Sequence, residues 1–175
     1  MKLSEMFEHA PALEITGIAS DSRSVKPGDM YFCIEGMEND GHHYIDQAIE
    51  NGAVSIVHRK DLSSMSDGIA YIKVNDVNAT LNIIASKFYG YPSKKMKIFG
   101  ITGTNGKSSI ASIIADAYSH FAPCGYIGTI AVRYGEVKKL PSLTTPDPIS
   151  IHSTMKDMVD AGMKACALEV SSHGL

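Results

Sequence analysis

The segment KIFGITGTNGKSSIASIIADAY, residues 97–118, leaves few folds open. A short apolar run leads into a glycine-rich turn, and a helical pattern follows at once. A strand that passes through glycines straight into a helix is the building block of parallel α/β sheets. The same turn has the parts of a phosphate cradle. Such a cradle needs successive backbone N–H groups, small residues that let an anion approach, a helix N-terminus and a lysine. Gly103 and Gly106 give room, Lys107 gives charge, and Ser108 gives a hydroxyl suited to magnesium. The spacing departs from the usual Gly, four residues, Gly-Lys-Ser/Thr. Ile101 stands where the first glycine belongs; Gly100 is one place early and Gly103 two places late. That register argues against ordinary GTPases and kinases of this loop class. A strand-to-helix turn with a chance Gly-Lys-Ser is the bland alternative, and it leaves the alignment of all these parts unexplained.

Apolar runs alternate with helical patterns along the rest of the chain. Strands are expected at 15–19, 30–34, 53–57, 70–74, 97–101, 125–132 and 165–170. Tyr44, Ile45, Ala48 and Ile49 suit a short helix ended by Asn51-Gly52. Val77, Leu81, Ile84, Ala85 and Phe88 mark one face of a longer helix, stopped at Gly90-Tyr91-Pro92. A helix from Ser108 is expected to bury Ile110, Ile113, Ile114, Ala117 and Phe121. Another carries Ile151, Met155, Met158 and Val159. A turn is expected at Tyr134-Gly135, followed by a loop with Pro141, Pro146 and Pro148. The polar joint Ser93-Lys94-Lys95 places a boundary between residues 1–92 and 93–175. The fold class is therefore α/β, with two successive units. The last strand ends five residues before Leu175, so the second unit reads as interrupted.

Composition removes several classes of function. The net charge of −3 points to neither nucleic acid nor an anionic membrane as a partner. No apolar stretch approaches a membrane span, and MKLSEMFEHAPALE lacks the apolar core of a signal peptide. Cys33, Cys124 and Cys166 are odd in number and sit among apolar neighbours. They read as buried thiols in a reducing cytoplasm.

Four stretches together resemble one family. GTNGKSS (103–109) has the loop form and register of the Mur ligases and their folylpolyglutamate synthetase relatives. ASDSRSVKPGDMYFCIEG (19–36), LTTPDP (143–148) and ALEVSSHGL (167–175) are similar to motifs of the Mur ligases that add the third residue of the peptidoglycan stem. The resemblance covers nearly the whole chain. It implies an N-terminal α/β uridine-binding domain, followed by the first part of a P-loop-type parallel-sheet ATPase domain. The activity implied is ATP-dependent amide formation through an acyl phosphate, with ATP and Mg2+ as cofactors. The implied substrates are UDP-N-acetylmuramoyl-L-alanyl-D-glutamate and a diamino acid, either L-lysine or meso-diaminopimelate. A chain of this extent is expected to bind but not to turn over. Another P-loop ATPase, or a short non-catalytic nucleotide-binding protein, would explain GTNGKSS but not the other three stretches.

The resemblance also assigns roles. Gly103, Thr104, Asn105, Gly106, Lys107, Ser108 and Ser109 would hold ATP, with Lys107 on the β and γ phosphates. Ser108 and Glu169 would hold magnesium; a carboxylate at the end of a buried strand is costly unless paired or metal-bound. Ser20, Ser22, Met37, Glu38, Asn39, Thr144, Thr145 and Ser171 would contact the muramyl substrate. Each has a plainer reading. Asp21 and Ser22 can form a turn with Arg23 paired to a carboxylate, and Thr144 and Thr145 can satisfy backbone groups in a proline-rich loop. Met37 stands where a polar residue or histidine is common in the family. His42-His43 has no third ligand at metal spacing nearby.

Overall fold

A computed structural model describes residues 1–36, 39–140 and 147–170. The chain divides into two compact units, Met1–Phe88 and Tyr89–Leu175. The turn Pro92–Lys94 belongs to the second, where Pro92 is fully buried and the turn packs on a later helix.

The first unit opens with a single helical turn, α1 (Leu3–Met6). Its sheet runs β1 (Gly17–Ala19), β2 (Asp29–Phe32), β3 (Ser55–His58) and β4 (Ala70–Lys73), all parallel and adjacent in that order. β2 and β3 are buried along their whole length, as parallel strands covered on both faces must be. Helix α2 (Ile45–Glu50) lies in the β2–β3 crossover, where Ala48, Ile45 and Ile49 join a core of Tyr31, Cys33, Ala53 and Ile56. Helix α3 (Val77–Phe88) buries Val77, Leu81, Ile84 and Ala85, the face that the sequence spacing marks.

The second unit holds β5 (Lys97–Ile101), α4 (Lys107–Ser119), β6 (Cys124–Ile127), β7 (Val132–Tyr134), β8 (Val137–Lys139), α5 (Pro148–Asp160) and β9 (Ala165–Glu169). The strand order is β5-β9-β6-β7-β8. β9 runs parallel to both neighbours, whereas β7 and β8 are antiparallel. β9 thus enters between β5 and β6, which α4 connects. Side chains alternate across it. Ala167 packs with Ile101, Ala111, Ala115 and Tyr126 on the α4 face, and Cys166 packs with Met155, Met158 and Ile127 on the α5 face. Asp147 caps α5, accepting from the Ser150 N–H at 3.1 Å, and Pro148 takes the first helical position.

Two expectations are corrected. The run 125–132 is not one strand. The chain reverses after β6, the Gly128 N–H donates to the Ala131 carbonyl at 3.0 Å, and β7 returns antiparallel along β6. The reversal brings in an edge hairpin closed at Gly135, whose φ of 52° suits glycine. On α4 the buried residues are Ala111 and Ala115, with Ile114 half-buried; Ala117 is exposed, as are Ile113 (64%) and Phe121 (87%) and, at half its surface, Ile110. α4 is apolar over more than one face, so periodicity marks a helix without choosing its inner side. The alanine pair wins because small side chains let the helix lie close on β5, β9 and β6.

Candidate functional site

The sheet register explains why loop and carboxylate meet. Ile101, the last residue before the glycine turn, pairs with Glu169 on β9. Both strands therefore present their C-terminal ends at one point, where ligands of open α/β sheets bind. Gly106 takes φ 77°, in the left-handed region, and forms the N-cap of α4 without a side-chain cap. No acidic residue occupies the first turn. The leading N–H groups of α4 and its positive dipole end are thus open to an anion. Gly103 also takes a glycine conformation, φ 149°. Thr104 and Asn105 are exposed in the turn, as is Ser109. The Lys107 ammonium folds back and donates to the Gly103 carbonyl at 2.8 Å, across the concavity.

Beside it, the Ser108 hydroxyl lies 3.0 Å from both carboxylate oxygens of Glu169. Thr129, in the turn after β6, donates to Glu169 Oε2 from its N–H at 3.0 Å and its hydroxyl at 3.2 Å. The carboxylate is fixed by three donors from two elements. The donor set suits a hard cation: a carboxylate and a hydroxyl, both oxygen. Neighbouring ligands of an octahedral ion at about 2.1 Å stand about 3 Å apart, the separation that Ser108 and Glu169 already have. Residues and group fit.

In the first unit, a cavity of about 520 Å3 opens at the C-terminal ends of β1 and β2. Ser20, Ser22, Arg23, Asn39, Tyr44 and Gln47 are among its lining residues. Three of the expected substrate contacts, Ser20, Ser22 and Asn39, meet here. The Ser22 hydroxyl donates to Gln47 Oε1 at 2.6 Å, and its carbonyl accepts from Asn51 Nδ2 at 2.8 Å. Arg23 makes a two-pronged ion pair with Asp21, Nε to Oδ1 at 3.0 Å and NH2 to Oδ2 at 2.6 Å, so the turn reading holds for these two residues. Met37, Glu38, Thr144, Thr145 and Ser171 lie outside the described residues.

The loop lining this cavity is held by Asp40. Its carboxylate accepts from the His42 N–H at 3.0 Å, from His42 Nδ1 at 2.6 Å and from the Lys60 ammonium. His42 Nε2 accepts in turn from the Arg59 N–H at 3.2 Å. His42 is a structural bridge between the loops after β2 and β3. Partial burial raises the Asp40 pKa, but the Lys60 and His42 hydrogen bonds outweigh it, and the carboxyl sits well below the ordinary range. A depressed carboxyl contributes stability that is full above its unfolded value of about 4 and is lost as the pH falls toward the folded value. Asp40→Asn should therefore lower the denaturation midpoint most at neutral pH, and the gap to the parent should start to narrow as the pH falls below about 4. A gap that acid leaves unchanged would remove Asp40 from this role.

Comparison with known proteins identifies the family. The Mur ligase family catalytic domain matches residues 14–89, and the Mur ligase middle domain matches residues 101–175. The chain belongs to the Mur ligase family. It is 40% identical, over its full length, to the UDP-N-acetylmuramoyl-L-alanyl-D-glutamate–2,6-diaminopimelate ligase of Alkaliphilus metalliredigens, of which it covers 37%. It is 44% identical over 93% of its length to the ligase of that name from Clostridium botulinum, covering 34% of it. The chain thus spans about a third of the length of these curated relatives. A solved structure of a ligase of that name superposes with a TM-score of 0.80 at 22% identity, over 99% of this chain and 36% of the other. The MurF ligase of Thermotoga maritima, solved with ADP, gives 0.60 at 21% identity, over 91% of this chain and 32% of the other. These last two show a Mur ligase fold.

Sequence reasoning missed Thr129. The signal was present: Gly128-Thr129 follows an apolar run, and a glycine after a strand followed by a hydroxyl residue suits a turn that aims an N–H and an O–H at one acceptor. Reading 125–132 as one strand hid it.

Proposed function

We propose that this chain is the uridine- and ATP-binding part of an ATP-dependent ligase that joins 2,6-diaminopimelate to UDP-N-acetylmuramoyl-L-alanyl-D-glutamate. The pairing of Ser108 and Glu169 beside an uncapped α4 carries the reading. The names of the curated relatives favour diaminopimelate over lysine as the amine donor. Such a reaction phosphorylates the side-chain carboxylate of D-glutamate; the amine then attacks the acyl phosphate and phosphate leaves. Chemistry of this type is mostly placement and charge neutralisation.

This chain's residues would divide that work. Main-chain N–H groups from Gly103 to Ser109 hold the phosphate tail. The Lys107 ammonium leaves the Gly103 carbonyl for the β and γ phosphates and keeps the terminal phosphoryl aligned. Ser108 and Glu169 would hold magnesium, which when bound neutralises phosphate charge. Thr129 keeps Glu169 aimed at the loop. In the first unit, Ser20, Ser22 and Asn39 line the cavity proposed for the uridine end. Among the described residues no helix is long and apolar enough to cross a membrane, which accords with work on water-soluble nucleotides.

Calorimetry on the chain tests the reading with two ligands. ATP should bind with an affinity that rises when magnesium is added, and UDP should bind independently of magnesium. Binding of neither nucleotide by the folded chain would overturn it.

A further inference from the structure

One buried polar atom near this site is unpartnered. The Tyr126 hydroxyl, on a side chain only 1% exposed, has no hydrogen-bond partner among the described residues. Its ring cannot move far. It packs among Ile101, Ala111, Ala115 and Ala167, and the Arg133 guanidinium lies 5.4 Å from the ring centre. Arg133 is itself held by Asp116 Oδ1 at 2.8 Å and by the Ser112 hydroxyl at 2.9 Å. A Cβ built on Gly128 would lie 2.1 Å from the Tyr126 oxygen and 3.0 Å from Glu169 Oε2, so glycine is what lets the phenol and the carboxylate share this corner. Phenylalanine would fill the same space without burying an unpaired hydroxyl, and such burial costs stability without return.

We propose that Tyr126 is a positioning residue of the metal site, whose hydroxyl donates to Glu169 once the carboxylate engages a cation. The inference rests on reading Ser108 and Glu169 as the magnesium pair. In this structure the Ser108 hydroxyl donates to both Glu169 oxygens. When Ser108 turns a lone pair to a cation, its hydroxyl must rotate and its one proton can no longer be shared by both Glu169 oxygens, which leaves acceptor capacity on the carboxylate for a second donor. Tyr126 is the buried neutral donor at hand. Burial, and then the Glu169 charge, push its pKa up, so it keeps its proton throughout the physiological range.

Tyr126→Phe removes only the hydroxyl, and two readouts decide its role. The thermal midpoint of the metal-free chain should stay level or rise, because an unsatisfied buried group is gone. The magnesium concentration needed for half-maximal ATP binding should rise about tenfold or more, the worth of one hydrogen bond to a charged group. ATP binding in EDTA should not change. A lowered thermal midpoint would make the hydroxyl structural, and an unchanged magnesium requirement would leave it idle; either overturns the proposal. If the parent chain itself shows no magnesium-dependent ATP binding, the assignment of Ser108 and Glu169 falls, and this inference with it.

Discussion

Lys107→Ala is expected to weaken ATP binding by one to two orders of magnitude while leaving UDP binding and the fold intact. The lysine is the single side-chain cation of the loop, at the first position of α4. A charge-assisted hydrogen bond is worth about 1.5–3 kcal/mol, or roughly 10- to 150-fold in affinity, and an ammonium serving two phosphates should reach the upper part of that range. Stability should hardly move. This ammonium makes an exposed hydrogen bond to the Gly103 carbonyl, and exposed contacts of that kind contribute little. UDP binding is proposed for the other unit, whose cavity is lined by residues between 20 and 47. Lys107→Arg would restore charge but not geometry, since a planar guanidinium cannot replace a compact ammonium inside a tight turn. Isothermal titration with both nucleotides reads the two affinities, and a thermal melt reads the stability. An unaltered ATP affinity in Lys107→Ala would remove the lysine from phosphate binding.

Glu169→Gln should abolish most of the gain that magnesium brings to ATP binding. The amide keeps the shape of the carboxylate and an acceptor for the Thr129 N–H, so the turn after β6 should hold. The charge that a hard cation requires is lost. Outer partners of metal ligands typically cost 10- to 100-fold when removed; loss of a direct carboxylate ligand should cost at least about 100-fold in magnesium affinity. Binding of ATP without metal should be level or slightly tighter, because one negative charge has left the phosphate site. Titration of magnesium into a fixed mixture of chain and nucleotide measures this. Equal magnesium dependence in parent and variant would mean that Glu169 is held by Ser108 and Thr129 for structural reasons alone.

The parts that could be read from residue order share a physical cause. β5 and α3 run over the residues that their patterns marked because each has one period and a clear stop: glycines after Ile101, and Gly90 with Pro92 after Phe88. The turn at Gly135 was marked by its glycine. What was hidden depends on partners distant in sequence. The inner face of α4 could not be chosen because isoleucines and alanines occupy different faces, and only the approach of the sheet selects Ala111 and Ala115. Strand order hid the rest. Glu169 meets Ser108 because β9 enters beside β5, and Thr129 and Tyr126 join them because β6 flanks β9 on the other side. No local pattern carries that insertion. In the first unit the turn from Ser20 to Arg23 was legible from its residue types, but the Ser22–Gln47 and Asp40–His42–Lys60 contacts that shape the cavity loop required the crossover through α2.

On the proposed function, α4's first turn and the glycine loop grip the polyphosphate with a cation between Ser108 and Glu169. Backbone amide NMR of the 175-residue chain, titrated with a non-hydrolysable ATP analogue and then with magnesium, tests it residue by residue. The analogue should shift the N–H signals of Gly103 to Ser109, and magnesium should add a second change at Ser108, Thr129 and Glu169. Saturating shifts confined to other segments, with these signals still, would contradict the account.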